Sequence, residues 1–321
     1  MTKSYRFALL LALPLGAFAA DSTLLEAVMP DAQVIAGLQV NSAKSSAFGQ
    51  YVLSHLSVND TKLEEFTAET GFDPRQDVTE IVVASNWKAN SPDNRWIVSA
   101  HGTFNIAKIT SVAVANGGTV VPYQGVNVVT TPAASAAQLA TGIAFLNPST
   151  ALVGDLTSVQ AAIGRMQSNS GPDVSILTKA QTASSGKDFW FVTLVPLSNF
   201  SSAIPNANLG GAMQGNLFAA INQASGGIRF GDTVTISAEA VTRSEKDAQA
   251  LVDVVKFFAS LVQLNKQQNP TAGQVATLLD TLQATASGNI TNISLAIPEQ
   301  QLEQLINSAH AAPAKAAARI N

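Results

Sequence analysis

The segment GDTVTISAEAV (231–241) alternates apolar and polar side chains at every second residue. On an extended chain the apolar members share one face, namely Val234, Ile236, Ala238 and Ala240. A strand of this kind has one buried face and one wet face, which is typical of antiparallel sheets with helices on one side. The segment therefore predicts an α+β fold built on antiparallel sheet.

Apolar periodicity and turn residues predict strands and helices along the rest of the chain. In the first half, strands are expected at 32–40, 79–85, 95–104, 119–131 and 141–153, and helices at 45–56, 61–70, 105–118 and 156–166. In the second half, we expect a strand and the start of a helix in 188–204, a strand at 231–241, helices from Ser244 and at 272–283, a strand at 289–297 and a last helix from Pro298.

The chain divides near a stretch that is rich in small polar residues. The predicted organisation is a signal peptide at 1–19, an N-terminal α+β unit at 20–167, a linker at 168–187, a C-terminal α+β unit at 188–310 and a mobile tail at 311–321. Each unit is expected to combine an antiparallel sheet with helices. DFWFVTLVPLSNFSSAI can be laid against AQVIAGLQVNSAKSSAF, which suggests a degenerate internal duplication, although a chance match explains the similarity equally well.

The helix that follows Ser244 has the clearest amphipathic pattern in the sequence. The Ser244 hydroxyl is placed to cap it, and Glu245 and Asp247 suit the positive end of the helix dipole. Its core-facing residues are predicted to be Ala248, Leu251, Val252, Val255, Phe258, Ala259 and Val262.

The N-terminus has the pattern of a secretory signal peptide. Lys3 and Arg6 precede the apolar stretch FALLLALPLGAFA, and Ala17-Phe18-Ala19 supplies the small residues of a cleavage site. The mature chain would begin at Ala20 or Asp21; a retained N-terminal anchor is the alternative. We expect a periplasmic or secreted protein with no transmembrane span after cleavage.

Composition excludes several functions. The chain has no cysteine, which excludes disulfides, a thiol nucleophile and a lipid-modified cysteine. Its 18 basic and 22 acidic residues give a net charge of -4 without a cluster of Lys and Arg, so nucleic acid is not an expected partner.

The segment VGDLTSVQ could be taken for an anion-binding turn before a helix. It has a single glycine and no lysine, and Asp155 stands where a helix cap is needed. A carboxylate in that position competes with an anion for the free N–H groups. The segment therefore predicts a capped connection between a strand and a helix.

Catalytic residues are sought first among the histidines, His55, His101 and His310. His101 shares a strand face with Ser99, but side chains two residues apart on a strand are seldom oriented for proton transfer. A hydrolase site would have to assemble at a distance, from His101 with an acid such as Asp77 or Asp155. The sequence also has no hydrolase elbow and no metal-binding motif. No catalytic, cofactor-binding or metal-binding residue is assigned.

GFDPRQDVTEIVVAS and TALVGDLTSVQAAI resemble exported bacterial proteins of an uncharacterised, domain-of-unknown-function family. The resemblance covers mainly residues 32–166, and its motifs are structural. It implies an exported α+β module without an active site to transfer.

These observations favour a non-enzymatic module of the cell envelope. Its partner would be a protein, a lipid or another envelope component, bound through a sheet face or a cleft between the units. The alternative is an exported hydrolase whose site is assembled from distant residues.

Overall fold

The computed structural model describes residues 19–55, 60–88, 91, 93–131, 139–168, 170–171, 174–197, 219–267 and 270–304. The strands are β1 Val34–Gln39, β2 Val78–Ser85, β3 Trp96–Gly102, β4 Thr119–Tyr123, β5 Val126–Thr131, β6 Thr141–Asn147, β7 Thr150–Asp155, β8 Phe189–Thr193, β9 Ile221–Arg229, β10 Thr233–Thr242, β11 Gln283–Ser287 and β12 Ile290–Pro298. The helices are α1 Ser22–Glu26, α2 Val40–Ser45, α3 Ala47–His55, α4 Asp60–Thr70, α5 Pro74–Asp77, α6 Ile106–Ala115, α7 Leu156–Ser168, α8 Val174–Ser184, α9 Glu245–Asn265 and α10 Pro270–Leu278. The predicted α+β class is confirmed.

All these strands belong to one antiparallel sheet in the order β11-β12-β10-β9-β8-β1-β2-β3-β7-β6-β5-β4. Strand β8 begins the C-terminal set and pairs with β1, with Ile35 opposite Val192. The two sets of strands are therefore hydrogen-bonded to each other across the middle of the sheet. Strand order runs outward from this seam in a similar way on both sides, but the internal duplication is not confirmed and stays a prediction.

The larger core lies on one face of the sheet, which we call the first face. It is covered by α1, α7 and α8, whose buried residues include Leu24, Val159 and Ala180. The strands contribute the buried side chains Ile35, Val82, Ile97, Leu152, Val128 and Trp190. Arg165 of α7 ties α1 into this layer, since its Nη2 donates to the carbonyl oxygen of Ala27 at 2.7 Å.

Gly37 and Trp190 explain how the middle of this layer packs. The two residues are directly opposite on β1 and β8, and the Trp190 indole is fully buried. A Cβ on Gly37 would overlap the indole ring, so only glycine leaves room for tryptophan here.

The opposite, second face of the sheet carries two further clusters. The first lies under α2, α4 and α6 and contains Phe66, Phe72, Phe104 and Phe145, with Phe104 and Phe145 ring centroids 5.4 Å apart. The second lies where Leu251 of α9 packs on Ala224 and Ala240. The second face is therefore covered over both sets of strands, whereas α1, α7 and α8 leave most of β9–β12 uncovered on the first face.

The structure differs from the sequence prediction at three places in the C-terminal half, and the first is strand β9, which the sequence analysis does not predict. The expected linker 168–187 contains α8, because Ile176, Ala180 and Ala183 are buried in the main core. Part of the helix expected at 272–283 is replaced, since the chain turns after Thr281 and forms β11 against β12. The expected tail 311–321, His310 and most of the signal peptide lie outside the described residues.

Candidate functional site

His101 lies on the first face near the start of α1, and its contacts orient the imidazole. Its Nδ1 lies 3.2 Å from the carbonyl oxygen of Ser149 and 3.3 Å from Oγ1 of Thr150. Its Nε2 lies 3.5 Å from Oδ2 of Asp21, a carboxylate open to solvent. Because a carbonyl oxygen can only accept, the Ser149 contact requires the proton on Nδ1. This geometry holds the ring in place.

The hydroxyls near His101 are not placed for attack on a substrate. Ser99 shares the strand face of His101, as the sequence predicts, but its hydroxyl is buried and donates to the carbonyl oxygen of Leu24 at 3.0 Å. Thr150 is also buried. A nucleophile must reach its substrate as well as its base, so neither hydroxyl meets that requirement.

The acids considered as partners of His101 are occupied elsewhere. Asp155 Oδ1 accepts from the Ser158 backbone N–H at 2.9 Å, and its Oδ2 accepts from the Trp96 N–H at 2.9 Å. Asp155 thus caps α7, as predicted from the sequence. Asp77 accepts from the Asp73 N–H at 2.7 Å.

A groove of about 380 Å³ lies on the part of the first face that α1, α7 and α8 leave uncovered. Strand side chains at successive register positions line it, together with residues at the end of α8: Ser225, Ser237, Glu239, Gln283, Thr285, Asn292, Ser294, Thr182 and Lys187. Antiparallel sheets commonly keep one wet polar face. The groove therefore has the composition of an ordinary solvated sheet surface and specifies no ligand.

The C-terminal half of α9 has an exposed apolar stripe of three residues. The exposed fractions are 61% for Phe257, 42% for Leu261 and 77% for Leu264. Their spacing of four and three places them on one side of the helix, away from the side of Leu251 that packs on the sheet. We call these three residues the α9 stripe.

The α9 stripe is held on a helical hairpin formed with α10. The Gln263 side-chain amide donates both to the Ala276 carbonyl oxygen and to Asp280 Oδ1, each at 2.9 Å. Gly273 lets the two helices approach closely, because a Cβ there would lie 3.1 Å from the Lys266 carbonyl oxygen. The stripe is therefore displayed on a braced support.

The charge of the hairpin differs from that of the whole chain. Between residues 254 and 279 the sequence contains Lys256 and Lys266 and no Asp or Glu, whereas the whole chain has a net charge of -4. Asp253 precedes this segment, and Asp280 follows it directly, with its carboxylate beside the stripe because Oδ1 lies 2.9 Å from the Gln263 amide. With Asp280 included, residues 254–280 have two basic side chains and one acidic side chain, a net charge of +1.

The chain matches no protein family and no curated protein. This agrees with a sequence whose resemblance lies with uncharacterised proteins. Two solved structures, crystal forms III and I of TP0453, are similar to it. Form III has a TM-score of 0.50 at 10% identity over 88% of this chain and 97% of that chain; form I has a TM-score of 0.47 at 11% identity over 91% and 99%. At this identity the likeness to form III concerns the fold alone.

Sequence reasoning missed the α9 stripe although the signal was present. The predicted core-facing stripe of this helix includes Val255, Phe258 and Val262, which are half-buried, and omits all three residues of the exposed stripe. The helix is apolar on two sides, and the described residues leave one of them exposed. Within the described part of the chain, no helix has the combined length and apolarity needed to cross a membrane.

Proposed function

We propose that this protein is an exported, non-enzymatic module of the cell envelope that binds a lipid surface through the α9–α10 hairpin. The α9 stripe carries this proposal. It is set apart from single exposed apolar residues, which are common on protein surfaces, because Phe257, Leu261 and Leu264 form one continuous row on one helix.

The apolar part of the stripe suits the boundary between lipid headgroups and acyl chains. An amphipathic helix lies in that boundary with its apolar side inserted, and the binding strength follows the apolar area removed from water. Phe257 and Leu264 expose most of their side chains. They therefore have the most to gain from insertion.

The charges suit an anionic lipid surface. Lys256 and Lys266 flank the stripe, and with the nearby Asp280 carboxylate counted, residues 254–280 keep a net charge of +1. A Lys near an anionic membrane surface contributes about 1 kcal/mol to binding.

The pattern of residues 1–19 supports delivery to the envelope. A cleaved signal peptide would place the mature chain in the periplasm or outside the cell, where lipid surfaces are accessible. Once delivered, the protein would bind such a surface through the hairpin.

The proposal is tested by sedimentation of the mature protein with vesicles. Vesicles of phosphatidylglycerol and phosphatidylcholine should bind the protein, and phosphatidylcholine alone should bind it less. Phe257→Ser and Leu264→Ser should each weaken binding about tenfold, because each removes about 1.5 kcal/mol of apolar burial. Lys256→Gln should weaken binding only to the anionic vesicles.

Val114→Ser provides a matched control. Val114 is also an exposed apolar residue on a helix, with 44% exposure on α6, but it lies outside the stripe. The Val114→Ser variant should bind the vesicles as strongly as the unaltered protein does. Equal loss in Val114→Ser, or no vesicle binding by the unaltered protein, would overturn the proposal; in the second case the stripe would be assigned to a protein partner.

A further inference from the structure

The chain enters the folded core at the point where the signal peptide is expected to end. Residue 19 is exposed, whereas Ala20 is 7% exposed and its backbone N–H donates to Ser184 Oγ at 3.0 Å. The next N–H, that of Asp21, donates to Glu80 Oε1 at 3.0 Å. Leu24 and Leu25 of α1 then lie fully in the core. The first residues of the mature chain are therefore part of the packed structure.

Glu80 is a buried carboxylate with few positive neighbours. It lies on β2 and is 9% exposed, between Gln39 of β1 and His101 of β3 in the strand register. Burial raises the pKa of Glu80 and the nearby Asp21 carboxylate adds to the rise, whereas the Asp21 N–H, the Gln39 side chain and His101 lower the pKa. A buried carboxylate of this kind is stabilised when a positive group pairs with it.

We propose that signal-peptide removal creates this positive group, and that the new α-ammonium binds in a seat formed by Glu80 and Ser184. Hydrolysis of the peptide bond after Ala19 converts the amide nitrogen of Ala20 into a free amine, which is protonated near neutral pH. The freed nitrogen already lies against Ser184 Oγ. Processing would thereby add an ion pair between the N-terminus and strand β2.

The backbone geometry allows the pairing for either cleavage position. Cleavage after Ala20 would place the ammonium on Asp21, whose nitrogen is 3.0 Å from Glu80 Oε1. Cleavage after Ala19 places it one residue earlier, and successive backbone nitrogens are only about 3–4 Å apart. In that case the ammonium starts no more than about 7 Å from Glu80 Oε1, because the Asp21 nitrogen is 3.0 Å from that oxygen. The inference rests on the export step of the proposed function and is independent of lipid binding.

The test compares two forms of the mature chain, one that begins at Ala20 and one that keeps an extra Gly-Ser before it. Both are measured by thermal unfolding in the absence of lipid, with Glu80 and with Glu80→Gln. The glutamine can still accept from the Asp21 N–H but cannot pair with a charge. Glu80→Gln should lower the Tm of the Ala20 form by about 2–4 °C more than that of the extended form.

Glu299→Gln is the matched control. Glu299 also accepts a backbone N–H, that of Phe48, through Oε1 at 2.8 Å, but it is far from Ala20 in the chain. Its substitution should change the Tm of both forms equally. Equal effects of Glu80→Gln on the two forms would overturn the proposal.

Two further measurements keep the outcome clear if Glu80→Gln does not fold. The amine of Ala20 should react with an acylating reagent about tenfold more slowly in the folded protein than in urea, and Ser184→Ala should narrow that difference. Unchanged reactivity on folding would contradict the seat. The mass of the exported protein must also show that the mature chain begins at Ala20 or Asp21. Any other first residue would overturn this inference, but it would not affect the proposed lipid-binding surface.

Discussion

Helices α7 and α9 are both amphipathic in sequence, but the fold uses them differently. Helix α7 lies on the first face and buries Val159, Ala162 and Ile163 in its first and middle turns. Helix α9 buries Ala248, Leu251 and Val252 near its start and no residue from Asp253 to Asn265. An apolar side on a helix indicates that this side needs a packing partner. Only the surrounding structure shows whether that partner is another part of the same chain.

The largest expected difference between the two helices is in core packing. Ile163→Ala on α7 should lower the free energy of unfolding by about 2–5 kcal/mol, because it leaves a cavity among buried side chains. Leu264→Ala on α9 should change it by less than about 0.5 kcal/mol. Urea denaturation of both variants measures this directly. A similar loss for Leu264→Ala would show that the stripe is packed in solution.

The seam of the sheet should be nearly as sensitive. Gly37→Ala should cost about 3 kcal/mol, since the new Cβ overlaps the buried Trp190 ring and neither strand can move freely. Gly164→Ala on α7 is the control, because its Cβ meets only the Gln124 side chain at 3.4 Å and alanine favours a helix. Thermal unfolding should show a lower Tm for the first variant and an equal or higher Tm for the second.

The N-terminal caps of the two helices should also differ in their contribution to stability, by a smaller amount. Asp155→Ala removes the cap of α7 and also the acceptor of the Trp96 N–H in a buried setting, which should cost about 2 kcal/mol. Ser244→Ala removes the acceptor of the Asp247 N–H and a donor to Asp247 Oδ2, both at an exposed start of α9, which should cost about 1 kcal/mol. The reverse order in chemical denaturation would contradict the view that α7 is the more tightly integrated helix.

The smallest expected effect is on the thermal stability of the protein at low pH. The side-chain hydrogen bond from Arg75 holds the pKa of Asp73 below its usual 3.8, so its stabilising contribution is complete above the unfolded pKa and is lost as pH falls through the folded value. The contribution of the Asp73–Arg75 pair to the free energy of unfolding is less than about 1 kcal/mol, because Arg75 is about half exposed and water screens the pair. Asp73→Asn should therefore flatten the decline of Tm below pH 4, and an unchanged decline would exclude this pair as its source.

Local signals were sufficient for much of the fold. The caps predicted at Asp155 and Ser244 each accept the expected backbone N–H. The alternation of 231–241 corresponds to β10, with Val234 and Ala240 buried. These features depend on residues within one turn or one strand, which is why the sequence alone reveals them.

Features that depend on distant partners were not predicted. Strand β9 contains Gly226 and Gly227, and two adjacent glycines in a sequence are typical of a turn. In the sheet, a Cβ on Gly226 would lie 2.5 Å from the Ser237 carbonyl oxygen, so the glycine serves close strand approach. Helix α1 is equally hidden, since five residues carry little periodicity and its burial comes from α7 and the sheet.

The same limit applied to the candidate site. His101 was recognised as the histidine of interest, but its contacts with Asp21 and Thr150 join residues 80 and 49 positions apart. The α9 stripe was visible as apolar letters, but its exposure depends on which helix sides the sheet and α10 cover. No sequence motif indicated a role for Glu80.

The pairing of β1 with β8 has a consequence for dissecting the molecule. Dividing the chain between α7 and β8 would strip hydrogen-bond partners from both strands and expose two matching edges, Val34–Leu38 and Phe189–Thr193. Fragments made in this way should aggregate when produced alone. Produced together, they should recombine, which makes the seam a natural place for a complementation assay.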